Sequence, residues 1–295
     1  MQIVDPHLHL INVKQGKYDW LQLNNPPHWP LKSHIPHNAD EAAITLSAPF
    51  ELKGFVHIEA GFDNNEPWRE IDWLEQHCKL PFKSIAYADL SSISSIQTIK
   101  RLCNYQSVVG IRHILDEDAV RLLSKTSFRT SLQFMAEQGL MFEAQLNLSD
   151  QKAVALLAKV IKETAGLKVT INHAGFPFHG ATDCWQAGIE TLAQFSRVAI
   201  KCSGLEMMEQ PYTIHGLQRI LLSLMAYFSE NRVMLASNFP VLTMAMGYQN
   251  FWHLCAELEF DEFILNKLMF TNAQQWYDID FAAVPEAKLE THGYA

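Results

Sequence analysis

A chain of 295 residues with 48% hydrophobic and 19% charged residues can bury a large core, which argues against a disordered protein, and its length suits one α/β barrel. With 23 basic against 32 acidic residues the net charge is −9, so phosphate backbones are repelled and no nucleic-acid partner is expected. No signal peptide or eighteen-residue apolar run is visible, and the five cysteines form no C-x-x-C pair, so a cytoplasmic protein with reduced thiols and no membrane partner is expected.

Along the chain, short apolar, β-branched runs alternate with longer stretches of helical spacing. Strands are expected at 3–10, 54–61, 82–90, 108–115, 141–147, 168–175, 198–204 and 233–240. Helices are expected near 38–52, 66–79, 91–105, 117–138, 149–165, 182–196 and 211–229, with a last helical region over 247–277. Asn38 stands before Ala39-Asp40-Glu41, which suits a helix start; Ser149-Asp150 opens another helix and Gly166 closes it. Strand and helix repeated eight times imply parallel pairing with right-handed crossovers: a single (β/α)₈ TIM barrel of the α/β class. An open doubly wound sheet would carry a glycine-rich phosphate loop after its first strand, and MQIVDPHLHL leads into none. Residues 1–295 are read as one domain, with a core over 3–277 and a tail over 278–295. The segment 11–37 is long for a βα loop and holds Tyr18, Trp20, Trp29 and several prolines, so it is expected over the barrel mouth, with the two tryptophans facing substrate.

The chemistry-bearing residues gather at expected strand ends. His7 and His9 form an H-x-H on one strand face, where two imidazoles could share a metal or hold one substrate oxygen. In GFVHIEAG, His57 and Glu59 are expected to share a face, and in VTINHAG, His173 stands near a strand end. Glu143, Gln145 and Asn147 alternate along an otherwise apolar run. A carboxylate inside a barrel is costly alone, so Glu59 and Glu143 require a metal, an arginine or a proton. Of Arg112 and His113, one must face inward; alternation leaves open which. Lys201 and Ser203 close the seventh run, where a lysine can bind a substrate oxygen or pair with an acid.

With those pieces in order, the chain resembles the amidohydrolase-related barrels, the metal-dependent hydrolases of the amidohydrolase 2 type, in the branch of sugar-acid and pyrone-dicarboxylate lactonases. The resemblance rests on VDPHLHL, the DW and PPHWP elements, GFVHIEAG, VGIRHIL, VTINHAGFP, IKCSGL, ASNFPV and TNAQQWY. It implies that His7, His9 and His173 are the residues to hold a divalent metal, zinc first among them, where one is bound, since the family also includes lactonases that work without a tightly bound ion, and that Arg112 binds a substrate carbonyl or carboxylate. It further implies an acid at the end of strand eight, which the family writes S-D-W-P. Here the place reads Ser237-Asn238-Phe239-Pro240, and an asparagine cannot take a proton from water.

Three consequences stay open. Glu59 or Glu143 could be the base beside a neutral Asn238; a metal-bound hydroxide could need less help; or hydrolysis is lost. The expected activity is hydrolysis of a lactone of a small polar or carboxylated molecule. The alternatives are a metal-dependent decarboxylase and a ligand-binding barrel without catalysis. His57, Lys201, Trp20 and Trp29 would join Arg112 in binding substrate. The expected partner is a small molecule, and a homo-oligomer is left open.

Overall fold

Residues 1–177, 182–207 and 213–281 are described by the computed structural model. Its eight barrel strands are β1 (Gln2–Leu8), β2 (Glu51–Ile58), β3 (Phe82–Tyr87), β4 (Val108–Arg112), β5 (Met141–Ala144), β6 (Val169–Ile171), β7 (Val198–Cys202) and β8 (Val233–Leu235). They neighbour one another in chain order, and each ladder is parallel. Just beyond β8 the chain returns to β1: the Asn238 N–H donates to the His7 carbonyl at 2.8 Å, and the His9 N–H to the Phe239 carbonyl at 2.6 Å. The expected (β/α)₈ barrel is therefore the observed fold.

The crossover helices are α1 (Trp68–His77), α2 (Ser95–Leu102), α3 (Ala119–Ser124), α4 (Thr126–Glu137), α5 (Gln151–Glu163), α6 (Thr182–Ala193) and α7 (Ile214–Phe228). The chain ends in α8 (Tyr248–Ala256), α9 (Glu262–Asn266), a π-turn at Lys267–Thr271 and α10 (Asn272–Tyr277). Asp150 caps α5 by accepting from the N–H groups of Lys152 and Ala153, as an acid ahead of a helix does. None of these helices, among the described residues, is long and apolar enough to cross a membrane.

Two apolar cores follow from strand alternation. Outward-facing residues such as Ile3, Leu8, Phe55 and Ile111 pack under the helices. A smaller inner cluster holds Val4, Val56, Ile58, Ile85, Met141, Ala199 and Met234, closed from the N-terminal end by Ala273, Tyr277 and Ile279. The last helix is thus a floor: Asn272 donates to the carbonyl of Val233 at 2.7 Å, and the Lys168 ammonium to that of Trp276 at 2.8 Å.

The helix expected over 38–52 is not there. Asn38–Ala39 pairs antiparallel with Ile11–Asn12, a single 3₁₀ turn covers Glu41–Ile44, and β2 already begins at Glu51. Asp40, not Asn38, caps that turn through the Ala42 N–H. The apolar residues there, Ile44 and Phe50, are buried in the outer core, and Pro49 offers no N–H to continue a helix. The run expected over 117–138 divides at Lys125, whose extended backbone separates α3 from α4. Of the run 211–229, residues 211 and 212 lie outside the described residues, as does the tail beyond 281.

Candidate active site

The mouth is organised by an irregularity in β1. Asp5 pairs with Phe55, but Leu8 pairs with His57, so β1 carries one residue more than β2 between those points. Such a bulge re-aims the side chains after it. Val4 faces the inner cluster and Leu8 the outer one, while His7 lies with His9 and His173. Asp5 holds the bulge. Its Oδ1 accepts from the N–H groups of His7 at 3.2 Å and Ser237 at 3.1 Å; its Oδ2 accepts from the hydroxyls of Ser237 at 2.5 Å and Tyr248 at 3.2 Å. Burial pushes the Asp5 carboxyl up to about 6 against the pull of those bonds.

The three imidazoles cluster. The His7 ring centroid lies 5.2 Å from that of His9 and 4.7 Å from that of His173. His9 Nδ1 lies 2.8 Å from the Ile58 carbonyl, which requires a proton on Nδ1. His173 Nδ1 lies 3.0 Å from the Ser203 hydroxyl. His7 is fully buried, and neither of its nitrogens has a partner among the described residues. Burial lowers the basicity of all three. Lys201 and His173 lower His7 further, and Arg112 comes next after burial for His9, which falls to about 3, and for His173. All three are neutral at neutral pH.

His173 sits on a backbone that few sequences tolerate. His173, Ala174, Gly175 and Phe176 all have left-handed φ, between 51° and 64°. Each non-glycine residue there costs roughly 1–2 kcal/mol, and clusters of such residues point to functional sites. Hydrogen bonds from Gly175 to Asn172 and from the Trp185 indole to the Ala174 carbonyl hold the turn. Gly204 makes room for the ring: a Cβ there would stand 2.4 Å from His173 Nδ1, and its φ is +71°.

Arg112, last residue of β4, points inward and His113 outward. The Arg112 guanidinium donates from Nε to Glu59 Oε1 at 2.8 Å, from Nη2 to the Glu59 carbonyl at 2.8 Å and from Nη1 to Gln145 at 3.3 Å. Three of its five N–H groups are thereby engaged, and the other two have no partner among the described residues. His113 accepts from the Leu90 N–H and lies against Phe128.

Three expected site residues stand elsewhere. His57 was expected at the mouth; instead it faces α1, because Val56 and Ile58 take the inner side of β2. Its Nδ1 accepts from the Leu10 N–H at 3.1 Å, so its proton is on Nε2, 3.1 Å from Glu70 Oε1. Burial pushes Glu70 up to about 8 and His57 down to about 3. Glu143 and Lys201 form the barrel floor rather than its mouth. Both Glu143 oxygens lie 2.9 Å from the Lys201 ammonium; one also accepts from the Tyr277 hydroxyl at 2.5 Å and the other from the Asn172 amide. Glu143 is therefore saturated and unavailable as a base, and Glu59 is taken by Arg112.

The segment 11–37 lies along the mouth. The Trp20 indole donates to the Ala60 carbonyl at 2.7 Å, the Tyr18 N–H to Gly61, and the Thr243 hydroxyl to the His34 carbonyl, so it spans from β2 to the turn after β8. Trp20 and Trp29 are half-buried and meet edge to face. A groove of about 800 Å³ on the outer flank, bordered by Leu10, Phe50 and Trp73, includes none of the clustered imidazoles.

Asn238, left-handed at φ +59°, joins the imidazoles: its Oδ1 lies 3.3 Å from His9 Nε2. Its Nδ2 lies 2.5 Å from Oε1 of Glu206, a residue the sequence reading passed over. Glu206 stands two residues beyond Gly204 in the turn after β7, and that position was the available signal, since barrel enzymes recruit residues from the loops after their strands.

A divalent ion does not fit this donor set. No three His, Cys, Asp or Glu side chains among the described residues come together to hold one. His9 Nε2 faces Asn238, the strand-eight acid is absent, and two cations, Arg112 and Lys201, bear on His7.

A parallel eightfold barrel thus gathers neutral imidazoles, an arginine and a carboxyl at its C-terminal mouth. The chain belongs to the amidohydrolase family, whose model matches residues 4–279. It is 26% identical over 268 residues to the uncharacterized protein y4mH of Sinorhizobium fredii, covering 85% of this chain and 89% of that one. Its fold is that of an amidohydrolase of Burkholderia multivorans with bound zinc, at TM-score 0.77 and 16% identity over 95% of this chain and 100% of that one. It is also that of a protein of Pseudomonas putida described as a 2-pyrone-4,6-dicarboxylic acid hydrolase, at TM-score 0.73 and 16% identity over 94% and 97%.

Proposed function

We propose that this barrel hydrolyses the ester bond of a small, polar, carboxylated lactone without a resident metal. The observation that carries the reading is the unpartnered His7 imidazole, buried between His9 and His173 beside a half-engaged Arg112. A neutral imidazole offers one N–H to a carbonyl oxygen and one lone pair to a water. Arg112, oriented by Glu59, supplies a fixed positive charge for a substrate carboxylate or for the oxyanion that develops as water adds to the carbonyl. Trp20 and Trp29 give the mouth an apolar wall against the body of the ligand. The likeness to a pyrone-dicarboxylate hydrolase fold agrees with that chemistry.

The test is a panel of γ- and δ-lactones of sugar acids together with 2-pyrone-4,6-dicarboxylate, assayed on purified protein with and without a chelator, alongside elemental analysis. Turnover unaffected by the chelator is the expected result. Turnover abolished by it and restored by zinc overturns the metal-free reading. Absence of turnover across the panel, with release of carbon dioxide from an aromatic acid, replaces hydrolysis with decarboxylation.

A further inference from the structure

We infer that Glu206 is the proton-transferring carboxyl of this site, carried on the turn after β7 and held in place by Asn238. The reaction it serves rests on the lactonase reading above; its placement does not.

Glu206 is tied by one oxygen only. Oε1 lies 2.5 Å from the Asn238 amide nitrogen, while Oε2 is shut off from solvent and has no partner among the described residues. The residue as a whole is partly exposed, so the buried Oε2 is its inward end. A buried carboxyl oxygen without a partner costs roughly 1–3 kcal/mol, which a substrate or water oxygen would recover on binding. The other carboxyls around the barrel differ. Glu143 is saturated, Glu59 is paired with Arg112, and Asp5 accepts four hydrogen bonds.

Hydrogen-bond accounting at Asn238 supports a proton on Glu206. His9 carries its proton on Nδ1, toward Ile58, so a neutral His9 has only a lone pair on Nε2. That lone pair and an amide Oδ1 are both acceptors. Exchanging the two ends of the amide resolves the conflict: Nδ2 donates to His9, and Oδ1 accepts from a protonated Glu206. Each group in the chain Glu206, Asn238, His9, Ile58 then has its complement. The asparagine that cannot act as a base becomes the link that orients one. Burial raises the Glu206 carboxyl to about 8, the direction this arrangement requires.

The step balances. Loss of that resting proton to solvent, with the amide turned back so that Nδ2 donates to Oε1, gives the ionised Glu206, which takes a proton from water while the water oxygen bonds to the lactone carbonyl carbon. It returns that proton to the ring oxygen as the carbon–oxygen ring bond breaks. The product is the open hydroxy acid, and Glu206 is left as it began.

The experiment uses the intact protein and the lactone of the panel turned over fastest. Glu206→Gln keeps the shape, and its expected effect is a loss of kcat of about 10²–10⁴-fold with KM within about threefold. Glu206→Ala should lose kcat equally and regain part of it when formate is added, which a merely structural role would not allow. Thermal unfolding of both variants checks the fold. Retention of kcat by Glu206→Gln, or an alanine variant that formate does not restore, overturns the proposal. If no lactone is turned over, the lactonase reading fails separately, and infrared difference spectroscopy of wild type against Glu206→Gln decides. A protonated-carboxyl C=O band lost in the variant upholds Glu206 as the pocket's proton donor, and its absence overturns that role.

Discussion

The floor and the mouth of this barrel both bury ionisable side chains, and they are completed in opposite ways. At the floor, Glu143 and Lys201 neutralise one another while Tyr277 and Asn172 fill the remaining acceptor sites. At the mouth, His7 has no partner for either nitrogen and Glu206 none for one oxygen, among the described residues. An unpaired buried polar group costs roughly 1–3 kcal/mol; among the described residues Asn172 Oδ1 is the one such atom in the floor network, whereas at the mouth the open groups are the ionisable ones themselves, which a further molecule would complete. The contrast separates ionisable residues that stabilise the barrel from those that await a ligand.

The comparison can be broken by substitution. The largest effect is expected at the floor. Lys201→Met leaves Glu143 without its cation, and urea unfolding should show a loss of about 3–5 kcal/mol; a loss below about 1 kcal/mol would mean that the floor is not what holds the barrel end together.

A smaller effect should follow pH at Asp5. Its folded pKa of about 6 lies above the ordinary 3.8, because burial disfavours its charge. The folded protein therefore binds this proton more tightly than the unfolded chain. That stability is present below about pH 4 and lost as pH rises through about 6, by roughly 1–3 kcal/mol. The difference in unfolding free energy between wild type and Asp5→Asn should shift in the variant's favour over that window. A difference independent of pH contradicts the burial assigned to Asp5.

Gly204→Ala sharpens the picture of the mouth. The added methyl must displace the His173 ring and occupy a left-handed φ, at a cost of about 1–2 kcal/mol. We expect kcat/KM to fall by at least about tenfold, read on the panel lactone; full activity would show that the position of His173 is immaterial.

The smallest stability effect is expected at His7, where His7→Leu removes an unsatisfied imidazole from a buried site. Unfolding free energy should stay within about 1 kcal/mol of wild type, or rise, while turnover is lost. A loss near that of Lys201→Met would erase the distinction between floor and mouth.

Parts of this site were legible in the sequence. The H-x-H pair, His173 near a strand end and the asparagine after strand eight were all readable from local pattern, as was the barrel itself, because period-two and helical spacing are properties of a few adjacent residues. The choice between Arg112 and His113 was not, since both faces of β4 are apolar in sequence. His57 was misplaced because alternation assigns faces without naming which one is inner. The segment 38–52 looked helical because its apolar residues recur at helical intervals, yet its partners are the first loop and the outer core.

The eight strand–helix repeats, their order and the residue types at the strand ends are local properties of the chain, because each is encoded over a short stretch of it. Which of those groups meet is set by the folded barrel. Asp5 reaches Ser237 across 232 positions and sets the bulge that turns His7 inward. Tyr277 closes on Glu143 across 134, and Asn238 finds Glu206 across 32. These pairings depend on barrel closure, strand register and the path of each loop, and no local pattern in the chain specifies those.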